Sequence, residues 1–198
     1  ERLCIMNESI IKTISVAFAV CLVCSLIVSV SAVSLRDQQK ENKLNDRRTK
    51  VLEVADIKIE DDMTIAEQFS MLEQKFVDFN TGQILDQYNN FNIDDYDQLM
   101  STKDSNLSSS VPASEDIAII KNRENVGKIF ILRDQNENID KLILPIRGYG
   151  LWGTLYGYIA IEEDFNTVAG ITYYEHKETP GLGAEVDNEK WKESWVGK

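Results

Sequence analysis

Lys128-Ile129-Phe130-Ile131-Leu132-Arg133, the reversal Asp134 to Asn138, and then Ile139-Asp140-Lys141-Leu142-Ile143-Leu144-Pro145-Ile146 form the stretch on which the fold turns. Two runs of apolar, largely β-branched and aromatic residues flank an Asp/Asn-rich break, which reads as a β-hairpin with an interior strand. Working outward, Gly148 to Gly153 makes a glycine-bearing turn, and Thr154 to Ile161 with Thr167 to Tyr174 make a second hairpin across Glu162 to Asn166. Upstream the period changes. Thr64 opens an amphipathic stretch, TIAEQFSMLEQKF, with Ile65, Phe69, Leu72 and Phe76 on one face. Phe76 to Phe79 then reads as a short strand reversed at Asn80-Thr81-Gly82, and the Asp-, Asn- and Ser-rich segment 86–114 as a surface insertion with little chemistry. Downstream, Asp187-Asn188 caps a helix carrying Trp191 and Trp195 at i, i+4. Helices, then a largely antiparallel sheet, then a helix give an α+β class.

The amino-terminal part has a different character. Thr13 to Leu35 carries no charge, and its roughly 23 residues make about 35 Å of helix against about 30 Å of hydrocarbon. The segment reads as one retained transmembrane helix. A secretory signal cut after Val30-Ser31-Ala32 is the rival, but signal cores run only about 7 to 15 apolar residues. Residues 1–12 are then a flank, 36–60 a helical connector on which Leu44, Val51, Leu52 and Ala55 recur, and 61–198 the large domain. Counting Arg36, Lys40, Lys43, Arg47, Arg48 and Lys50 against Arg2 and Lys12 assigns that domain to the cytoplasm, although long domains translocate largely regardless of charge.

A net charge of −12 argues against a nucleic-acid partner, which selects for clustered Lys and Arg. Cys4, Cys21 and Cys24 all precede the hydrophilic part, so no disulfide framework supports it. Cys21-x-x-Cys24 is half a tetrahedral zinc site at most, and the two thiols read as small apolar packing residues. His176, the only histidine, has no sequence neighbours that make a triad or a ligand cluster.

The candidate site lies at Glu178-Thr179-Pro180-Gly181-Leu182-Gly183. Pro180 fixes its own φ and pushes Thr179 toward extended geometry, while Gly181 and Gly183 allow positive φ or a close approach to the main chain. In isolation such a turn reads as a plain strand-to-helix connection. The second hairpin, however, returns the chain to where it began, so Trp152 falls near this turn. An aromatic face beside main-chain donors and acceptors suits a flat heteroaromatic ligand, worth about 0.5 to 1.5 kcal/mol beyond area burial.

Leu144-Pro145-Ile146-Arg147-Gly148-Tyr149-Gly150-Leu151-Trp152 with Tyr156-Gly157, Tyr174-Glu175-His176-Lys177 leading into the turn, and Trp191-Lys192 with Trp195-Val196-Gly197-Lys198 resemble the C subunit of the sodium-translocating NADH:quinone reductase over most of the chain. The resemblance implies an FMN-carrying component that relays electrons from NADH to quinone, coupled to sodium export. It further implies a single-pass protein of the bacterial inner membrane, associated with the other subunits, with its large domain periplasmic. It carries over Trp152, Glu178, Thr179, Gly181, Leu182 and Gly183 as non-covalent surroundings of the flavin, with no catalytic acid, base or nucleophile and no metal. In the family FMN is attached through its phosphate to a threonine of a Ser-Gly-Ala-Thr motif. This chain has no such motif, Lys198 falls where the family continues, and the expectation is a domain truncated at its carboxyl end with the attachment residue beyond it. The G subunit of the ion-translocating ferredoxin:NAD oxidoreductase shares the Glu-Thr-Pro-Gly-Leu-Gly turn. A membrane-tethered binding module without redox chemistry is the alternative of another class.

Overall fold

The computed structural model describes residues 2–60, 62–94 and 96–198, with the main chain alone described for residues 2–9. Cys4 therefore lies outside the described side chains; Cys21 and Cys24 are free and exposed on the first helix. Two compact units result, Glu1–Leu44 and Asn45–Lys198. In the first, α1 (Arg2–Ser34) is followed by a break at Leu35 and the start of α2 (Arg36–Val54). Ile10–Ser34 has a mean hydropathy of 2.7 over its most apolar window, long and apolar enough to cross a bilayer.

The second unit is built on a six-stranded antiparallel sheet. Its strands are β1 (Glu73–Asp78), β2 (Ile84–Leu85), β5 (Val126–Arg133), β6 (Ile139–Tyr149), β7 (Thr154–Glu162) and β8 (Val168–Glu175), in the order β2-β1-β5-β6-β7-β8. A two-stranded ribbon, β3 (Ser108–Ser110) with β4 (Asn122–Glu124), stands apart from it. Both hairpins expected from the apolar runs are present, β5 with β6 and β7 with β8. β6 runs farther than its sequence pattern indicates. It continues to Tyr149, opposite Thr154, so Gly148 sits inside the strand and the turn shrinks to Gly150–Gly153.

The segment of α2 from Asn45, with Ala55 just past its end, covers the sheet through Val51, Leu52, Val54 and Ala55, all buried with Phe69, Leu72, Phe130, Ile143, Tyr158 and Ala160. The pairings Phe130↔Ile143, Ile143↔Ala160 and Ala160↔Gly170 lay one row of residues across four strands. At the end of that row Gly170 has no side chain because the Val54 carbonyl oxygen would lie 2.9 Å from a Cβ there. Helix and sheet approach at backbone distance. Glu53 adds a polar tie, since the Lys192 ammonium donates to its Oε1 at 2.8 Å and the Lys50 ammonium to its Oε2 at 2.7 Å. Partial burial raises the Glu53 pKa, but the two ammonium groups outweigh that and hold it below the ordinary carboxylate value.

Two expectations need correction. The helix opened by Thr64 runs only over α3 (Ile65–Phe69), closed by a full capping box between Thr64 and Glu67 and ended at Ser70. Leu72 and Phe76 are buried as expected, yet Phe76 arrives there from β1, because Glu73–Asp78 pairs with β5 along its whole length. Ladder hydrogen bonds there win over a 3.6-residue apolar spacing that both elements satisfy. The polar insertion also folds more tightly than its composition suggests. It contains a short helix, α4 (Gln98–Ser101), capped by Asp97. Tyr88 and Tyr96 pack edge-to-face on Phe76, the more exposed Phe91 stacks on Tyr88, and the buried Tyr96 hydroxyl donates to the Val126 carbonyl at 2.6 Å. Phe76, Tyr96 and Val126, with Leu85, Tyr88 and Ile93 packed against them, make a second core within a polar stretch of sequence.

One loop residue stores backbone strain. Ile119 has φ +53 although it is β-branched, and it is 56% exposed, so its side chain gains little in return. Asp116 holds the loop by accepting the Ile120 and Lys121 N–H groups at 2.8 and 2.7 Å. Ile119→Gly is expected to stabilise the domain by about 1 kcal/mol, read as a rise in the urea midpoint at constant slope. A fall in the midpoint would show that the exposed side chain matters more than its backbone.

Candidate flavin site

Three segments meet at one end of the sheet. The β6–β7 hairpin ends in Gly150-Leu151-Trp152-Gly153, closed by the Gly150 N–H donating to the Gly153 carbonyl at 2.8 Å. β8 leaves the sheet beside it, because Glu175 pairs with Tyr156 near the start of β7. The chain then passes over the hairpin tip, with the Lys177 stem 3.1 Å from where a Gly153 Cβ would stand. The third segment is the turn itself and the 3₁₀ helix Gly183–Asp187 that follows.

The turn has a definite type. The Thr179 carbonyl accepts the Leu182 N–H at 3.1 Å, Pro180 is second, and Gly181 is third with φ +75. That is the type II pattern, in which the third residue must tolerate positive φ. The Thr179 carbonyl also accepts the Ala184 N–H at 3.2 Å, so the turn runs directly into the 3₁₀ helix. Both lone pairs of one oxygen hold it.

Glu178 connects the pieces. It is buried, and its Oε1 accepts the Trp152 main-chain N–H at 3.1 Å. The same oxygen fills the space of a Gly150 Cβ, and its Oε2 fills the space of a Gly183 Cβ. One carboxylate is thus wedged between two glycines from different turns. The structure brings Glu178, Gly183 and the Trp152 main chain into direct contact, with Thr179 and Gly181 shaping the turn. The side chains of Trp152 and Leu182 instead face outward, 63% and 72% exposed, beside Leu151 at 78%. Trp152 is therefore not a plain core residue. Nothing lies within 4 Å of a Gly181 Cβ, so its main chain is open on that side.

His176 differs from its sequence reading, because it does have a carboxylate partner. Its Nε2 lies 2.7 Å from Asp187 Oδ2, and its Nδ1 accepts the Glu178 N–H at 3.2 Å. An acid 11 residues downstream of the sole histidine was the available signal, but only the turn and the 3₁₀ helix bring the two together. Nearby, Tyr173 packs against Trp191 with ring centroids 6.2 Å apart, and Trp191 against Trp195 at 5.7 Å. α5 (Glu189–Glu193), capped by Asn188, carries Trp191 and ends before Trp195. Burial raises the pKa of Tyr173 and pushes that of Tyr174 up to about 12, so both hydroxyls stay protonated at neutral pH. Among the described residues no group of His, Cys, Asp and Glu is placed to hold a metal ion.

Comparison with known proteins converges on the same segment. The family model for the FMN-binding domain matches residues 150–198, which begin at the hairpin tip and include the whole turn. The C subunit of the Na(+)-translocating NADH-quinone reductase of Vibrio alginolyticus is 42% identical over 193 residues, covering 97% of this chain and 73% of that protein. The protein of the same name from Pseudomonas aeruginosa is 45% identical over 196 residues, with 97% and 73% covered. Among solved structures, Shewanella oneidensis NqrC superimposes with a TM-score of 0.71 at 33% identity, over 80% of this chain and 71% of that one. The C subunit from Parabacteroides distasonis gives a TM-score of 0.60 at 25% identity, over 83% and 69%. With identities above 40% across nearly its whole length and a shared fold, the chain belongs to the family formed by the C subunits of the Na(+)-translocating NADH-quinone reductases.

Proposed function

We propose that this chain is the FMN-carrying electron-transfer component of a sodium-translocating NADH:quinone reductase. In this reading it is anchored by α1 in a bacterial inner membrane with its large domain periplasmic, beside the other subunits of the complex. The observation that carries the flavin reading is the pairing of an outward-facing Trp152, with Leu151 and Leu182 exposed beside it, and a rigid main-chain turn inside the segment matched by the FMN-binding domain. These residues fit the group. A flat tricyclic ring needs apolar faces and polar main-chain edges, and the site offers both. Trp152 and Leu182 provide apolar surface, Gly181 leaves the backbone approachable, Gly183 makes room for the Glu178 carboxylate, and Thr179 fixes the turn. Glu178 holds the two loops at a set separation. When bound, FMN supplies a centre that accepts and releases electrons, so the protein needs no acid, base or nucleophile of its own. The chain's residues bind, orient and set the electrostatic surroundings. The family resemblance implies covalent attachment through the FMN phosphate to a threonine of a Ser-Gly-Ala-Thr motif, which is not among these 198 residues.

Two measurements test this. The full-length protein should retain flavin fluorescence after denaturation and should co-purify with the other subunits of the reductase; a colourless protein would sink the flavin reading. Trp152→Ala should shift the flavin absorption band or midpoint potential while attachment persists. An unchanged spectrum and potential would remove Trp152 from the ring's surroundings.

A further inference from the structure

We propose that His176 is the positioning residue of this site, setting the separation of its two turns through the main chain of Glu178. This rests on the flavin reading above. An N–H can point only at a ring nitrogen that carries a lone pair, and the Glu178 N–H points at His176 Nδ1, 3.2 Å away. The ring proton is therefore on Nε2, where it is donated to Asp187 Oδ2 at 2.7 Å. The imidazole bridges two points of one loop. On one side is the residue whose carboxylate holds Trp152, and on the other the last residue of the 3₁₀ helix that starts at Gly183. The His176 side chain is only 15% exposed, so the ring has little room to adopt another orientation.

The order of contacts is Asp187, His176, the Glu178 N–H, the Glu178 carboxylate, and the Trp152 N–H. The bonds to the Glu178 and Trp152 N–H groups are directional main-chain contacts, and the Asp187 carboxylate that orients the ring is more exposed. Glu178 Oε2 also stands where a Gly183 Cβ would be, so fixing the Glu178 backbone fixes both oxygens against both turns. Two turns joined by one buried carboxylate need that side chain's own backbone to be held. His176 holds it. The ring acts through Glu178 and touches neither Trp152 nor the Gly181 face.

The test exploits a difference in reach. An Asn side chain can accept the N–H two residues on, as His176 Nδ1 does, whereas Gln places its oxygen one bond too far. Amide exchange at Glu178 and Trp152 in the full chain should accelerate roughly tenfold in His176→Gln and His176→Ala, and stay near the parent rate in His176→Asn. In the FMN-bound protein the flavin band and midpoint potential should shift in His176→Gln and return toward the parent in His176→Asn. Nitrogen NMR of the parent imidazole should show a protonated Nε2 and a bare Nδ1. Equal exchange in the Asn and Gln variants, or a proton on Nδ1, would overturn the proposal. Unaltered FMN spectra with accelerated exchange at both amides would overturn the link to the flavin. A parent protein that binds no FMN defeats the flavin reading instead, and the exchange comparison still decides whether His176 holds the turns.

Discussion

Gly150→Ala is expected to weaken binding of the proposed flavin by about tenfold, because overpacking at a rigid site costs about 1–3 kcal/mol. The added Cβ would overlap Glu178 Oε1 and Leu155 Cδ1 at once. Leu155 is held in β7 opposite Gly148, so the carboxylate must yield. Yielding breaks the bond from the Trp152 N–H and moves Oε2 against Gly183. The readouts are the flavin midpoint potential, non-covalent FMN affinity, and exchange of the Trp152 amide. A double-mutant cycle with Glu178→Ala isolates the cause. If the clash is with the carboxylate, the Gly150→Ala penalty should shrink once Glu178 is gone. Additive effects would place the damage at Leu155 and refute the wedge.

Phe76→Ala should cost about 3–5 kcal/mol, a large share of the roughly 5–15 kcal/mol that holds a typical domain together. Phe76 is 1% exposed in the second aromatic cluster, with the Tyr96 ring edge-on at 5.2 Å and Tyr88 at 6.0 Å. Its removal leaves a cavity that these rings cannot close, because the Tyr96 hydroxyl is bound to Val126. Urea unfolding gives the number, and proteolysis between residues 86 and 107 tests the mechanism. The variant should be nicked there far sooner than the parent. A loss below about 1 kcal/mol would mean that the insertion is not part of the cooperative unit.

How much of this was legible beforehand depended on the range of the interaction. The β5–β6 and β7–β8 hairpins were readable because apolar runs and Asp/Asn- or Glu/Asp-rich reversals are local signals, and the structure has both. The reach of β6 to Tyr149 was not readable, since glycines at 148 and 150 look alike in sequence. Only the pairing with Leu155 puts Gly148 in the ladder. TIAEQFSMLEQKF misled for a related reason. Its apolar spacing suits a helix, but partners far along the chain in β5 take its last residues, from Glu73 on, into the sheet. At the site, the Pro180-Gly181 turn was visible in the residues themselves. The Glu178 wedge was not, because the sheet creates the proximity it uses, and the His176–Asp187 pair was not, because only the folded turn and the 3₁₀ helix bring those two residues together.

The space shared by Gly150, Glu178 and Gly183 also constrains how this site can change over generations. Neither glycine can acquire a side chain while the carboxylate stands between them, and loss of the carboxylate alone leaves two empty places and an unheld hairpin tip. The three positions are therefore a single heritable unit. A lineage that abandons Glu178 removes the carboxylate from both glycines, although Leu155 still crowds position 150, and one that keeps it must keep all three.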